Sequence, residues 1–162
     1  MMLRVVQIYV SPGHNYFGHH GKPAGDHVVE SVDQVECVAG KGLRGDRFFD
    51  YKEDYKGQVT FFTKEVYDSM CQHFDVWDKP AAVLRRNVLI EGGDLNDLIG
   101  EEFEIQGVRF CGTQEAAPCY WMNQAFAIGA EDFLTGQGGL RAHILSNGIL
   151  RREGSVDSVT MC

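Results

Sequence analysis

The sequence lacks any apolar run long enough to cross a bilayer: the longest, Ala116 to Met122, is seven residues with Pro118 inside it, against the ~20 that a membrane helix needs. A secretory leader is not expected either. The opening segment, Met1 to Val10, is short, is interrupted by Gln7 and runs into Ser11-Pro12-Gly13 without a small-residue cleavage site; it reads as a first β-strand, and the location as cytoplasmic. Basic charge is short, with 15 Lys and Arg against 23 Asp and Glu and a formal charge of -8, the wrong sign for tracking a nucleic-acid backbone. Cysteine is sparse and odd in number. Cys37, Cys71, Cys111, Cys119 and Cys162 are separated by 34, 40, 8 and 43 residues with no C-x-x-C, which argues against a disulfide scaffold and a Cys-rich zinc knuckle. No G-x-S-x-G elbow, H-E-x-x-H or EF-hand loop occurs, so the usual hydrolase and zincin readings lose their support.

Glycine is abundant, 19 of 162 residues, and proline rare at four, a balance that favours tight turns between short strands. With 44% hydrophobic and 23% charged residues the composition is that of a globular protein rather than a disordered, collagen-like or coiled-coil one. No repeat or linker divides it, so residues 1–162 read as a single domain.

Strands are expected over Leu3-Val10, Val28-Val38, Val59-Phe62 and Asn87-Glu91. A hairpin is expected about Gln106-Gly107, and another about Asn147-Gly148 joins Leu140-Ser146 to Ile149-Arg152. Val66, Tyr67, Met70, Cys71 and Phe74 repeat with helical spacing behind Thr63, a good cap, which predicts an amphipathic helix over residues 64–74 with Cys71 on its buried face. Shorter helices are expected after Pro80, over Asp94-Gly100 and from Pro118 to about Ile128. The sum is mainly β: an all-β barrel with a few short peripheral helices.

Four segments carry candidate chemistry. His14, His19, His20 and His27 lie in one Gly-rich loop, where imidazoles can ligate a metal or be merely solvated. Gly40-Lys-Gly-Leu-Arg-Gly-Asp-Arg47 is no nucleotide P-loop, since it lacks the G-K-[ST] ending; it is either an anion-cradling turn or a surface ion pair between Asp46 and Arg44 or Arg47. Arg85-Arg86-Asn87 stands at the start of a strand, where Asn offers both donor and acceptor to a planar heterocycle and one of the two arginines is expected to point to solvent. Cys119 follows Pro118 near a helix start, an address that suits a nucleophile or metal ligand as well as an inert buried thiol. Cys37 and Cys111 read as core thiols.

The order of these motifs resembles that of the MOSC domain, the C-terminal domain of molybdenum cofactor sulfurases, in a stand-alone small form. The resemblance is carried by Gly45-Asp46-Arg47, Arg86, Gly92-Gly93 with Leu95-x-x-Leu98-Ile99-Gly100, Pro118-Cys119, and Leu140-Arg141-Ala142 through Gly148. It implies a MOSC-like β-barrel and a molybdenum cofactor, a pterin bearing a dithiolene and a phosphate. Family members are thought to reduce N-hydroxylated compounds or to carry sulfur on a cysteine. The family's cysteine corresponds to Cys119, which would be the catalytic thiol or the molybdenum ligand. The remaining cofactor-binding candidates are Arg44, Gly45, Asp46, Arg47, Arg86, Asn87 and Arg141, the arginines serving to neutralise the pterin phosphate. Near the end, where family members often show Gly-Asp, this chain has Glu153-Gly154-Ser155. Nothing in these residues supplies the sulfurase's pyridoxal-phosphate domain, so a sulfur donor or an electron-transfer protein is the expected partner. Two readings stand beside a molybdenum-dependent oxidoreductase: a non-catalytic carrier of sulfur or cofactor, and a ligand-binding barrel with a structural cysteine.

Overall fold

The computed structural model describes residues 3–12 and 29–153. The four histidines of the Gly-rich loop, Gly154, Ser155 and Cys162 lie outside them. Ten strands occur among the described residues: β1 (Arg4–Val10), β2 (Glu30–Val32), β3 (Gln34–Val38), β4 (Gly42–Leu43), β5 (Val59–Thr63), β6 (Val88–Glu91), β7 (Glu102–Ile105), β8 (Val108–Glu115), β9 (Leu140–Ile144) and β10 (Gly148–Arg151). The helices are α1 (Lys64–Phe74), α2 (Trp121–Ala125) and α3 (Ala130–Phe133), with 3-10 turns at Ala81–Leu84 and Leu95–Leu98.

The α1 helix begins as its sequence dictates. Thr63 is extended and its Oγ1 accepts the Val66 N–H at 3.2 Å, while Met70 and Cys71 are buried. The expected strand Val28-Val38 is broken at Asp33 into β2, which pairs with β1, and β3, which pairs with β10 and β4. The helix expected from Pro118 is only one and a half turns long and begins at Trp121.

Two sheets result. The larger has the order β2-β1-β6-β5-β9-β8-β7, all antiparallel except the β5–β6 pair; the smaller is β10-β3-β4. The expected hairpin at Asn147-Gly148 does not form. Strand β9 is already hydrogen-bonded on both edges, by β5 and β8, so β10 leaves for the smaller sheet and pairs with β3. Gly148 marks that change of sheet, since a Cβ there would stand 2.6 Å from Val108 Cγ2, and Asn147 Oδ1 accepts the Ala39 N–H. Among the described residues β2 and β7 remain edges of the larger sheet, so the mainly-β class holds while a closed barrel is not found.

One face of the larger sheet packs on the smaller through Val5, Ile8, Val35, Cys37, Leu43, Phe61, Phe110 and Leu150, all buried. The opposite face carries Tyr9, Phe62 and Leu89 against Met70, Leu84, Met122, Phe126 and Leu134 of the helices. Strict alternation would separate Val5 from Ile8, which are three apart. The register slip between Val5 and Gln7 against β6 is a bulge that returns both to one face.

Candidate functional site

The site is built where the loops before β6, after β8 and before β9 meet. Arg85 ends the 3-10 turn with a left-handed backbone, φ 60°, ψ 35°, and its N–H caps Ala82 O. That turn sends the two adjacent arginines apart without releasing either to solvent, which corrects the expected alternation: both are partly buried. Arg85 Nη2 reaches Ser11 Oγ at 3.2 Å. Arg86 turns the other way and donates from Nε to Gly138 O (2.9 Å) and from Nη2 to Ala116 O (2.8 Å) and Ala117 O (3.2 Å). One guanidinium thus ties the glycine loop before β9 to the segment that ends in Pro118-Cys119.

Close backbone approach is what the glycines supply here. A Cβ on Gly138 would stand 2.3 Å from Ala116 O, and one on Gly139 2.4 Å from Phe61 O. Cys119, half-buried, opens the turn before α2: its carbonyl accepts the Met122 N–H at 3.0 Å, and its own N–H points at Met122 Sδ at 3.2 Å. Trp121 Nε1 donates to Val83 O at 2.8 Å, which fastens α2 to the turn that presents the arginines.

The Gly45-Asp46-Arg47 segment follows β4. Gly45 takes φ 94°, a value that asks for glycine. Asp46 is wholly buried and faces the protein: Oδ1 accepts the Ser11 N–H (3.0 Å) and Arg47 Nη1 (3.1 Å), and Oδ2 the Phe48 N–H (3.3 Å). Its role is to hold Arg47. Arg47 is itself nearly buried, donates from Nη2 to Arg85 O and lies 4.7 Å over the Phe48 ring. Arg141, on β9, donates from Nη2 to Tyr55 Oη at 2.9 Å.

Arg86 lies within electrostatic reach of Arg47, Arg141 and Cys119, and Arg85 within reach of Arg47. The Arg86 guanidinium is brought down to about 10, chiefly by burial and less by repulsion from Arg47 and Arg141, against the opposing effect of Cys119 and Glu115. Arg85 is likewise brought to about 10 by burial and by Arg47. Arginine keeps its proton at such sites, so the depression reflects burial first and the neighbouring cations second.

Two sequence candidates stand elsewhere. Arg44 is exposed, paired with Glu36 at 2.8 Å and set over Phe49; it is the surface ion pair. Asn87 is buried with its amide engaged by the protein: Oδ1 accepts from Thr60 N (3.0 Å) and Thr60 Oγ1 (3.1 Å), and Nδ2 donates to Tyr9 O (3.2 Å). It clasps β1 and β5 to the start of β6. Cys37 is core as expected, whereas Cys111 is only half-buried because it points to the face opposite Phe110. Glu153 is also structural, accepting the Val5 N–H and Gln106 Nε2. Sequence reasoning missed Ser11 and Tyr55, which reach the arginines from 74 residues before Arg85 and 86 before Arg141; no local pattern marks either.

A family model described as the MOSC domain matches residues 18–151. No curated protein matches. Among solved structures, the YuaD protein of Bacillus subtilis is 15% identical, with a TM-score of 0.72 over 94% of this chain and 92% of that one. YiiM of Escherichia coli is 18% identical with a TM-score of 0.65 over 94% and 67%, and YiiM of Geobacillus stearothermophilus 14% identical with 0.63 over 93% and 71%. At such identities the neighbours attest the fold. With the family match spanning most of the chain and its ordered motifs meeting around one arginine cluster, the chain belongs to the MOSC domain family.

Proposed function

We propose that this chain binds a molybdenum cofactor, with the phosphate of the pterin held by the arginine cluster and Cys119 supplying the one protein thiolate. The observation that carries the reading is Arg86, which joins the Cys119 segment to a group of mutually repelling cations. Within an acidic chain of net charge -8, a group of guanidiniums joined through Arg86 to a soft sulfur suits an anion with a thiophilic metal.

The donor set fits such a group. Among the described residues no three His, Cys, Asp or Glu side chains gather as a metal site would require, so a metal here would come with ligands of its own. A dithiolene would provide them, and Cys119 would hold the metal as a soft thiolate. Arg47, held by Asp46, and Arg141 would take phosphate oxygens; Arg86 would orient the cysteine segment through its three carbonyl contacts. When bound, the cofactor supplies a redox-active metal, and reduction of N-hydroxylated compounds is the reaction that family membership favours, with electrons from a partner protein.

The test is the molybdenum and pterin content of the protein purified from a host that makes the cofactor, beside Cys119→Ser. Near-stoichiometric cofactor in the wild type, lost or strongly reduced in the variant while the circular dichroism spectrum is unchanged, is the expected result. A folded wild-type protein without cofactor would overturn the reading. A persulfide found on Cys119 by mass spectrometry would then establish sulfur carriage instead.

A further inference from the structure

Arg141 is held differently from Arg47 and Arg86. Arg47 is neutralised by Asp46, and Arg86 has Nε and Nη2 on backbone carbonyls. Arg141 makes no ion pair among the described residues; its one hydrogen bond runs from Nη2 to the neutral phenol of Tyr55. Its guanidinium carbon stands 5.2 Å from the centroid of that ring. On its other side lies Gly57, where a Cβ would come within 2.8 Å of Arg141 Nε and 3.0 Å of Nη2. The side chain is therefore clamped between an aromatic ring and a bare Cα.

The clamp is itself fixed. Thr113, the extra residue of the slip between Gly112 and Gln114 on β8, places Oγ1 2.8 Å from Lys56 O and 2.9 Å from Arg141 O, which binds the Tyr55–Gly57 segment to β9. Tyr55 also stacks on Phe48 at 5.2 Å, the ring over which Arg47 lies. The two aromatic rings so set the spacing of two like charges.

We propose that Arg141 is the principal phosphate receptor of the site and that Tyr55 and Gly57 are the residues that position it. This rests on the reading of the arginine cluster as an anion site, and it adds two residues that no sequence motif indicated. A guanidinium without a carboxylate partner keeps most of its N–H donors for phosphate oxygens, and a clamped one loses little freedom in offering them.

Gly57→Ala is a clean probe. Gly57 has no left-handed φ, and the atoms a methyl would meet are the movable end of Arg141, so the fold survives while the guanidinium shifts. Calorimetric titration of the cofactor-free protein, made in a host that lacks the cofactor, with inorganic phosphate should give roughly 10- to 100-fold weaker binding for Gly57→Ala, Tyr55→Leu and Arg141→Lys. Tyr55→Phe, which keeps the ring and loses the hydroxyl, should lose only roughly 2- to 10-fold, a graded response that a purely structural role would not produce. Wild-type phosphate affinity in both Gly57→Ala and Tyr55→Leu would overturn the positioning role, whatever the cofactor content. A wild-type protein freed of cofactor that binds no phosphate, yet takes the cofactor up again when the two are mixed, would overturn Arg141 as receptor and leave the cofactor reading standing. If the wild type binds phosphate through Arg141 but purifies without pterin, the receptor stands and the cofactor reading falls.

Discussion

Asn87 and Cys37 show how burial assigns a side chain to structure. An asparagine amide in solvent reach would suit a heterocycle, but this one gives Oδ1 to Thr60 and Nδ2 to Tyr9. Asn87→Ala would leave the Thr60 N–H and the Tyr9 carbonyl short of a partner, a loss of about 2–3 kcal/mol. The denaturant midpoint should fall accordingly, while cofactor content per folded molecule stays at the wild-type level; a selective loss of cofactor with unchanged stability would return Asn87 to the site. For Cys37, burial pushes the thiol up to about 12, with a smaller opposing effect of the Leu150 backbone. Its folded value lies above the unfolded one, so between about pH 9 and 12 the native state holds the proton longer and stability falls as pH rises. The midpoint should therefore drop from about pH 8 to about pH 10, and less so in Cys37→Ala; an equal drop in both would show that other groups dominate.

At the scale of elements, local signals and long-range demands divide cleanly. Helix α1 follows from Thr63 and a 3.6-residue apolar pattern, and its bounds are the expected ones. The Gln106-Gly107 turn joins β7 to β8 as expected, both residues having positive φ. The Asn147-Gly148 turn failed because partner choice is settled by which edges are free, and β9 had none. Glycines tell the same story. The run Gly136, Gly138, Gly139 is visible as composition, yet its role is to let the loop lie against Ala116 and Phe61. Gly138→Ala must displace the Ala116 carbonyl from 2.3 Å, and with it the Arg86 contacts that hold the Cys119 segment. The variant is expected to lose about 1–3 kcal/mol of stability and to load cofactor no better than Cys119→Ser; full loading would show that this loop does not organise the site.

For the molecule as a whole, charge sets the terms of binding. On the proposed reading, a net -8 chain repels polyanions at a distance while its arginine cluster takes a small anion at contact, and such a site would select for size as well as charge. Crowded cations stabilise once an anion joins them. Inorganic phosphate at about 100 times its Kd should raise the unfolding free energy by about 2.7 kcal/mol, seen as a higher melting temperature than in sodium chloride of equal ionic strength. Identical melting curves in the two salts would remove the case for a specific anion site. No helix among the described residues is long and apolar enough to cross a membrane.

The sequence by itself determined the mainly-β class, the α1 helix with its cap, and the ordered motifs around Arg47, Arg86, Cys119 and Arg141. These are legible because they rest on short-range periodicity, turn chemistry and motif order. Tertiary structure alone decided that Arg44 and Asn87 stand apart, that Arg86 grips the cysteine segment through carbonyls, and that Tyr55 and Gly57 clamp Arg141. The physical reason is distance along the chain. The contacts that grip the cysteine segment and hold Arg141 against Tyr55 join residues 30 to 86 positions apart, and only the pairing of strands and the burial of their faces brings such residues together.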